Sequence, residues 1–335
     1  MADKKYDIIG IANPGQDLVI ELEELPKGVV SSKMYDCSFQ GGGWVATALC
    51  AAGNLGAKTS FLGVIGDDLF GKLITDDFKF NNVDTSHLII ESGKRSNFCM
   101  CITERKNKSK YLISRPGECR EVELCDLDRE FIQSAKIMHV GFVNEAVIKA
   151  AAMIHEVNGK VSVDAAYYKP YVYENYDIFD IFIGSEYYFD GVCEELGKKT
   201  SKELSKEEKF DVMRYIQSKG PEIVIFTFGA KGSLGIYGEN TFEEPAMDVP
   251  VVDTTGAGDV FHGAFNVGLI KGMSVPEAAR YATGVSSIKC TQLGGRSGIP
   301  DNETLNKFLE TGIIDYEKIN DRVKKYKHGL NEMRS

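Results

Sequence analysis

Positive charge and long apolar runs are both scarce in this chain, and each scarcity excludes a class of partner. Lysine and arginine together number 39 against 49 aspartates and glutamates, for a formal net charge of -10. A surface of that sign repels nucleic acid and acidic membranes, so a phosphate-bearing ligand has to be held by local donors and not by a broad basic field. No apolar stretch approaches the roughly 20 residues that a membrane helix needs. The opening "MADKKYDIIGIANPG" has too brief an apolar run for a signal-peptide core and no cleavage site after it. The expectation is a cytosolic protein with no nucleic-acid and no membrane partner. Internal repeats and low-complexity tracts are also missing. Eight cysteines are scattered over 335 residues without the spacing of a disulfide framework. Their one close pair, Cys99 and Cys101 in "FCMCI", falls on one face of a strand. With no second pair nearby in sequence, it reads as two small apolar side chains and not as a zinc site.

What is present describes an α/β protein. Hydrophobic residues make up 43% of the chain and charged residues 26%, enough apolar material for a large core. "YDIIGIA", "KTSFLGVIG", "KIMHVGF", "KVSVDAA", "IFDIFIGS" and "EIVIFTFG" are short Val/Ile/Phe runs closed by Gly, Asp or Ser, as strands buried on both faces are. "WVATALCAAGNLG", "NEAVIKAAAMIHEVNG" and "SKEEKFDVMRYIQSKG" carry helical periodicity between them. Strand followed by helix, repeated, predicts a doubly wound parallel sheet. Two segments break that rhythm. Residues 17–40 and 96–117 alternate polar and apolar with no helix between their strands, the second folding about the polar turn "RKNKSK". They predict a small sheet apart from the main one, able to cover a cleft or to pair with a second copy of itself. The charged tail after Asn302 is expected to be helical.

The stretch "VVDTTGAGDVFHGAF", residues 251–265, carries the chemistry. Gly256 and Gly258 permit backbone angles that other residues resist and clear side chains from a ligand's path. Amides of Ala257, Gly258 and Asp259 at a helix start converge on one point and make an anion hole. The Asp259 carboxylate beside it is placed to take a proton from a hydroxyl attacking phosphorus.

"DTTGAGD" followed by "FHGAF" resembles the C-terminal signature of the ribokinase-like, or phosphofructokinase-B, carbohydrate kinases. "GGGWVATALCAAGNLGAKTSFLGVIGDDLFG", residues 41–71, resembles their N-terminal glycine-rich segment, and the likeness runs over nearly the whole chain. It implies a ribokinase-like α/β fold as a single domain over 1–335, the lid being 17–40 and 96–117. It also implies ATP with Mg2+, and K+ as a further candidate cofactor. Asp259 would then be the catalytic base, and the amides of Gly256, Ala257 and Gly258 the anion hole. Asp253 would help hold a monovalent cation such as potassium, with carbonyls near Thr255, Gly294 and Gly298 completing the shell. Thr227, Gly229 and Gly232 of "TFGAKG" would lie along ATP, with Ala282 and Gly284 leaving room for adenine. Asp17 resembles the acceptor of sugar hydroxyls, and Gly42 and Gly43 let the backbone approach that sugar.

The chain departs from the family pattern in places. Ser185 and Tyr188 stand where many relatives have the Asn and Glu of "NxxE", which leaves Glu186 as the carboxylate for magnesium-bound water. Thr47 replaces the asparagine that ribokinases place beside the sugar, and Trp44 and Val45 replace smaller or polar neighbours. A ketose, hexose or acid sugar is therefore favoured over ribose. Lys33, Arg95 and Arg115 lie in or near the lid, and Arg95 is the one expected to reach back toward an acidic group on the substrate. His139 reads as a satisfied core or cleft-edge histidine. A nucleoside kinase using Phe98, Tyr35 or Trp44 for stacking, and a non-catalytic sugar sensor, are the alternatives. A homodimer through the lid is the expected assembly.

Overall fold

The computed structural model describes residues 4–28, 31–107 and 109–329. Parts of three sequence expectations lie outside them: Val29 and Val30 of the first lid segment, Lys108 of the lid turn, and the last six residues of the charged tail. In chain order the described residues form β1 (Tyr6–Ile11), β2 (Gly15–Leu22), β3 (Met34–Gly42), α1 (Trp44–Asn54), β4 (Thr59–Gly66), α2 (Leu69–Phe80), β5 (Val83–Asp84), β6 (Leu88–Glu91), β7 (Asn97–Glu104) and β8 (Ser109–Arg115). Next come α3 (Arg129–Gln133), β9 (Ala135–Val140), α4 (Glu145–His155), β10 (Lys160–Ala165), α5 (Pro170–Tyr173), β11 (Ile181–Ser185), α6 (Glu186–Glu195), α7 (Lys206–Gln217), β12 (Ile223–Thr227), β13 (Ser233–Tyr237) and β14 (Asn240–Glu244). The helices α8 (Ala257–Ile270), α9 (Val275–Lys289), α10 (Asn302–Thr311) and α11 (Tyr316–His328) follow.

The main sheet runs β14-β13-β12-β11-β10-β9-β1-β4-β5, with β6 also paired to β4. It is parallel from β12 across to β5 and antiparallel only at β12–β13–β14. All six runs expected as strands are in it. Every residue of β4 is buried, because helices cover both faces of the sheet and two separate apolar clusters fill the layers. The chain extends the sheet from β1 to β4 on one side and then crosses back to add β9 on the other. Such a reversal of strand order opens a crevice at the carboxyl ends of the strands.

The second sheet runs β3-β2-β7-β8 and emerges at that crevice, since β2 follows directly on β1. β2 and β7 pair in parallel, and each makes an antiparallel pair with its outer neighbour. Its core is small, built on Ile20, Leu22 and Ile102. Met34, Tyr35, Phe39, Leu112 and Ile113 remain exposed on it.

Candidate active site

The glycine turn sits between an irregular segment that follows β14 and the start of α8. Gly256 caps that helix in the left-handed region, φ 71°. A Cβ there would also stand 2.9 Å from the Gly295 Cα, so conformation and space both require glycine. The amides of Gly256 and Gly258 have no hydrogen-bond acceptor among the described residues, as the first turn of a helix leaves them, whereas the Asp259 amide donates to its own carboxylate. Ala257 differs from expectation. Its N–H donates to the Thr254 carbonyl at 3.2 Å, because the tight turn folds that oxygen back beneath it. Asp259 is half-buried in the first turn of α8. Burial pushes its carboxyl up to about 7, Arg296 opposes the shift and Asp17 adds to it.

Asp17 lies on β2, across from Gln40 on β3 and Cys99 on β7. Burial pushes it up to about 6 against the pull of Arg296 and a hydrogen bond from the Cys101 thiol. Gly42 is required here by contact, since a Cβ would fall 2.2 Å from Asp17 Oδ1. Gly43 then starts α1 as its N-cap residue. Asp17, Cys99 and Cys101 form one loose group, so the cysteine pair has a carboxylate neighbour that linear spacing did not reveal.

Arg296, from "GGRSG", is the central residue that the sequence reading missed. Its side chain is fully buried, with Nη1 2.5 Å from Asp77 Oδ2, Nη2 2.9 Å from the Gly42 carbonyl and Nε 3.2 Å from Thr47 Oγ1. Thr47 is thereby held as a partner of arginine. Asp77 also accepts from the Gly41 amide at 2.6 Å and the Tyr326 hydroxyl at 2.6 Å, which ties α11 to the glycine segment joining β3 to α1. A buried charge needs such partners. Its only signal in the sequence is an arginine flanked by glycines.

The expected potassium shell is occupied by protein. Lys289, the last residue of α9 and 0% exposed, donates from Nζ to the Asp253 carbonyl at 2.8 Å and to the Thr255 carbonyl. Asp253 Oδ1 accepts from the Thr255 amide at 2.9 Å, and Oδ2 accepts from the Gly294 amide at 2.8 Å. Gly294 thus contributes a donor, while Gly298 packs against the Lys289 carbonyl. Across the lid, Lys110 Nζ sits 2.6 Å from Asp253 Oδ1 and donates to the hydroxyls of Thr254 and Thr255 at 2.8 and 3.1 Å. These cations outweigh burial and hold the Asp253 carboxyl well below its ordinary value.

A cavity of about 650 Å³ adjoins the turn, lined among others by Thr227, Gly229, Gly232, Ala257 and Gly258. The α9 side is a correction. Thr283, Ser286, Ser287 and Cys290 face the cavity, whereas Ala282 is wholly buried and a Cβ on Gly284 would strike Leu305 and Leu309 of α10. The helical phase is one residue away from the expected one.

Other expectations resolve individually. Arg95 is exposed and ion-paired with Glu118, so its guanidinium is already neutralised. Lys33 and Arg115 are exposed. Ser185 caps α6 and donates to the Ala166 carbonyl. Tyr188 lies in the core, its hydroxyl 3.1 Å from that of Tyr176. Glu186 is half-buried and accepts from Ser201 Oγ at 3.1 Å. Phe98 stacks on Phe70, Arg105 covers Tyr35, and Trp44 leans on Tyr167. His139 is fully buried and held down to about 4 by burial, but it is not wholly satisfied: Nε2 has no partner among the described residues.

Comparison with known proteins identifies the family of the chain. Residues 3–302 match the pfkB family carbohydrate kinase. The chain is 25% identical over 311 residues to a ribokinase of Haemophilus influenzae, covering 92% of this chain and 99% of that one. It is also 25% identical over 332 residues to a 5-dehydro-2-deoxygluconokinase of Halalkalibacterium halodurans, covering 92% and 96%. The structure of Arabidopsis thaliana ribokinase complexed with ribose and ATP superposes with a TM-score of 0.78 at 23% identity, covering 91% and 99%.

Proposed function

This chain belongs to the pfkB family of carbohydrate kinases, and on that premise we propose that it moves the γ-phosphoryl group of ATP to a hydroxyl of a ketose, hexose or acid sugar in preference to ribose. One observation carries the reading. Asp259 stands at a helix start with unpaired amides beside it, a 650 Å³ cavity reaches the same turn, and the second carboxylate, Asp17, is close enough to raise its proton affinity. ATP occupies the cavity along Thr227, Gly229 and Gly232. Asp17 accepts hydrogen bonds from the acceptor's hydroxyls, and Asp259 takes the proton of the one that attacks. The amides of Gly256 and Gly258 hold the charge on the transferring group, with Ala257 aiding through its position more than its amide. Magnesium would neutralise the phosphate oxygens. Glu186, whose carboxylate accepts from Ser201 Oγ, is the residue proposed toward its water shell.

Potassium is not part of this proposal, because Lys289 fills the carbonyl cage. The cytosol is the proposed setting, and the whole chain is proposed to act as one domain. Its exposed apolar lid residues support a homodimer formed there, and a monomeric mass by sedimentation at micromolar concentration would refute that. Trp44, 42% exposed beside Gly43, favours a second reading in which the acceptor is a nucleoside. ADP release measured over a panel of sugars, sugar acids and nucleosides separates the two. Asp259→Asn should keep nucleotide binding and lose turnover by ~10²–10⁴-fold; a variant that turns over normally would end the assignment.

A further inference from the structure

Behind the glycine turn three metal-binding side chains meet in the core, and the reaction described above uses none of them. His139 comes from β9, Asp164 from β10 and His262 from α8, at 0%, 3% and 4% exposure. One ligand atom from each lies within 4.8 Å of the others. We propose that His139, Asp164 and His262 bind a divalent transition cation, zinc being the first candidate, in a closed structural site.

The hydrogen bonds around the group are those of a ligand set and not of a finished network. His139 Nδ1 faces the Ser162 carbonyl at 3.2 Å. Ser162 Oγ also lies 3.3 Å from Nδ1; with the carbonyl as acceptor, Nδ1 carries the proton and Nε2 the lone pair, the tautomer that a backbone carbonyl imposes on metal-binding histidines. That Nε2 has no hydrogen-bond partner among the described residues, and the same is true of His262 Nδ1, Asp164 Oδ2 and Asn266 Oδ1. Polar atoms so deeply buried are ordinarily paired. Asn266 lies one turn beyond His262 and donates from Nδ2 to Ser162 Oγ at 3.2 Å, which leaves its carbonyl oxygen as a further acceptor.

His262 Nε2 and Asp164 Oδ1 are 3.4 Å apart. That is long for a charge-assisted hydrogen bond, so this contact does not satisfy either group. Imidazole nitrogen with carboxylate oxygen suits zinc, cobalt or iron better than magnesium or calcium. Bound there, the cation would pin the first turns of α8, with Gly258 and Asp259 at their start, to β9 and β10.

Metal analysis of the full chain, purified without an immobilised-metal column, should find close to one equivalent of a transition metal. His139→Ala and His262→Ala should each reduce it to background. In case those variants fail to fold, wild-type protein stripped with a chelator should lose thermal stability. It should recover that stability with one equivalent of zinc, and cobalt should give visible d–d bands. Metal well below one equivalent, no cobalt bands, and an ordered water among the four unpaired atoms in a crystal structure would overturn the proposal. These readouts are independent of kinase activity.

Discussion

Lys289 Nζ lies 2.8 Å from the Asp253 carbonyl oxygen, in a position with no solvent exposure. The same ammonium donates to Thr255, so one tethered cation holds both carbonyls at the base of the glycine turn. Burial lowers its proton affinity, and Asp253 is among the groups that restore it. The charge is covalently attached and cannot be diluted away. Wild-type turnover should therefore be the same in potassium, sodium or a bulky organic cation at constant ionic strength. Lys289→Ala should lose at least about tenfold in kcat, since a single lost charged contact is worth roughly 1.5–3 kcal/mol, and potassium should restore part of it. Potassium activation of the unmodified enzyme would contradict the assignment.

Asp259 and Asp17 are pushed up to about 7 and about 6 from 3.8. A base works only as the carboxylate, so kcat/KM should rise with pH through about 7 and level off above it. For stability the sign is opposite. A carboxyl whose folded value is raised contributes stability that is fully present below about 3.8 and lost as pH rises through about 6 to 7. Asp259→Asn should accordingly melt a few degrees above wild type at pH 8 and level with it at pH 4, while being inactive. The pH profile of kcat/KM checks the first sign, and thermal melts at the two pH values check the second.

Lys110 joins the lid to the turn through Asp253, Thr254 and Thr255. The pair is partly exposed on the lysine side, so Lys110→Met should change stability by less than about 1 kcal/mol. The expected effect is on closure. A looser lid admits water, and ADP formed per phosphorylated acceptor should exceed one. A ratio held at one would show that Lys110 does not seal the site.

Arg296 and Asp77 are both buried, and Asp77 also holds the Gly41 amide and Tyr326. Removing one member leaves the other uncompensated. Arg296→Leu should cost about 3–5 kcal/mol in a denaturant melt, whereas an Asp77→Asn, Arg296→Gln pair should recover part of that loss.

Much of this protein could be read along the chain, because the responsible interactions are local. Strands buried on both faces have to be runs of Val, Ile and Phe. A hairpin needs a polar turn such as "RKNKSK", and a left-handed cap before a helix needs Gly256. The residues that complete the site are brought together by packing of distant segments. Lys289 reaches the turn because α9 ends there, and no local pattern says which end of a helix will meet which carbonyl. Arg296 meets Asp77 across 219 positions of chain. Ala282 loses the cavity to Thr283 because the lean of α9 against α10 sets its rotation, and a phase error of one residue turns a helix by about 100°. His139, Asp164 and His262 come from two strands and a helix with no shared spacing. The sequence determined that a glycine turn flanked by two aspartates opens a helix at residues 253–259; tertiary structure alone decided which charges surround it, since charges act through space over distances that the order of residues does not encode.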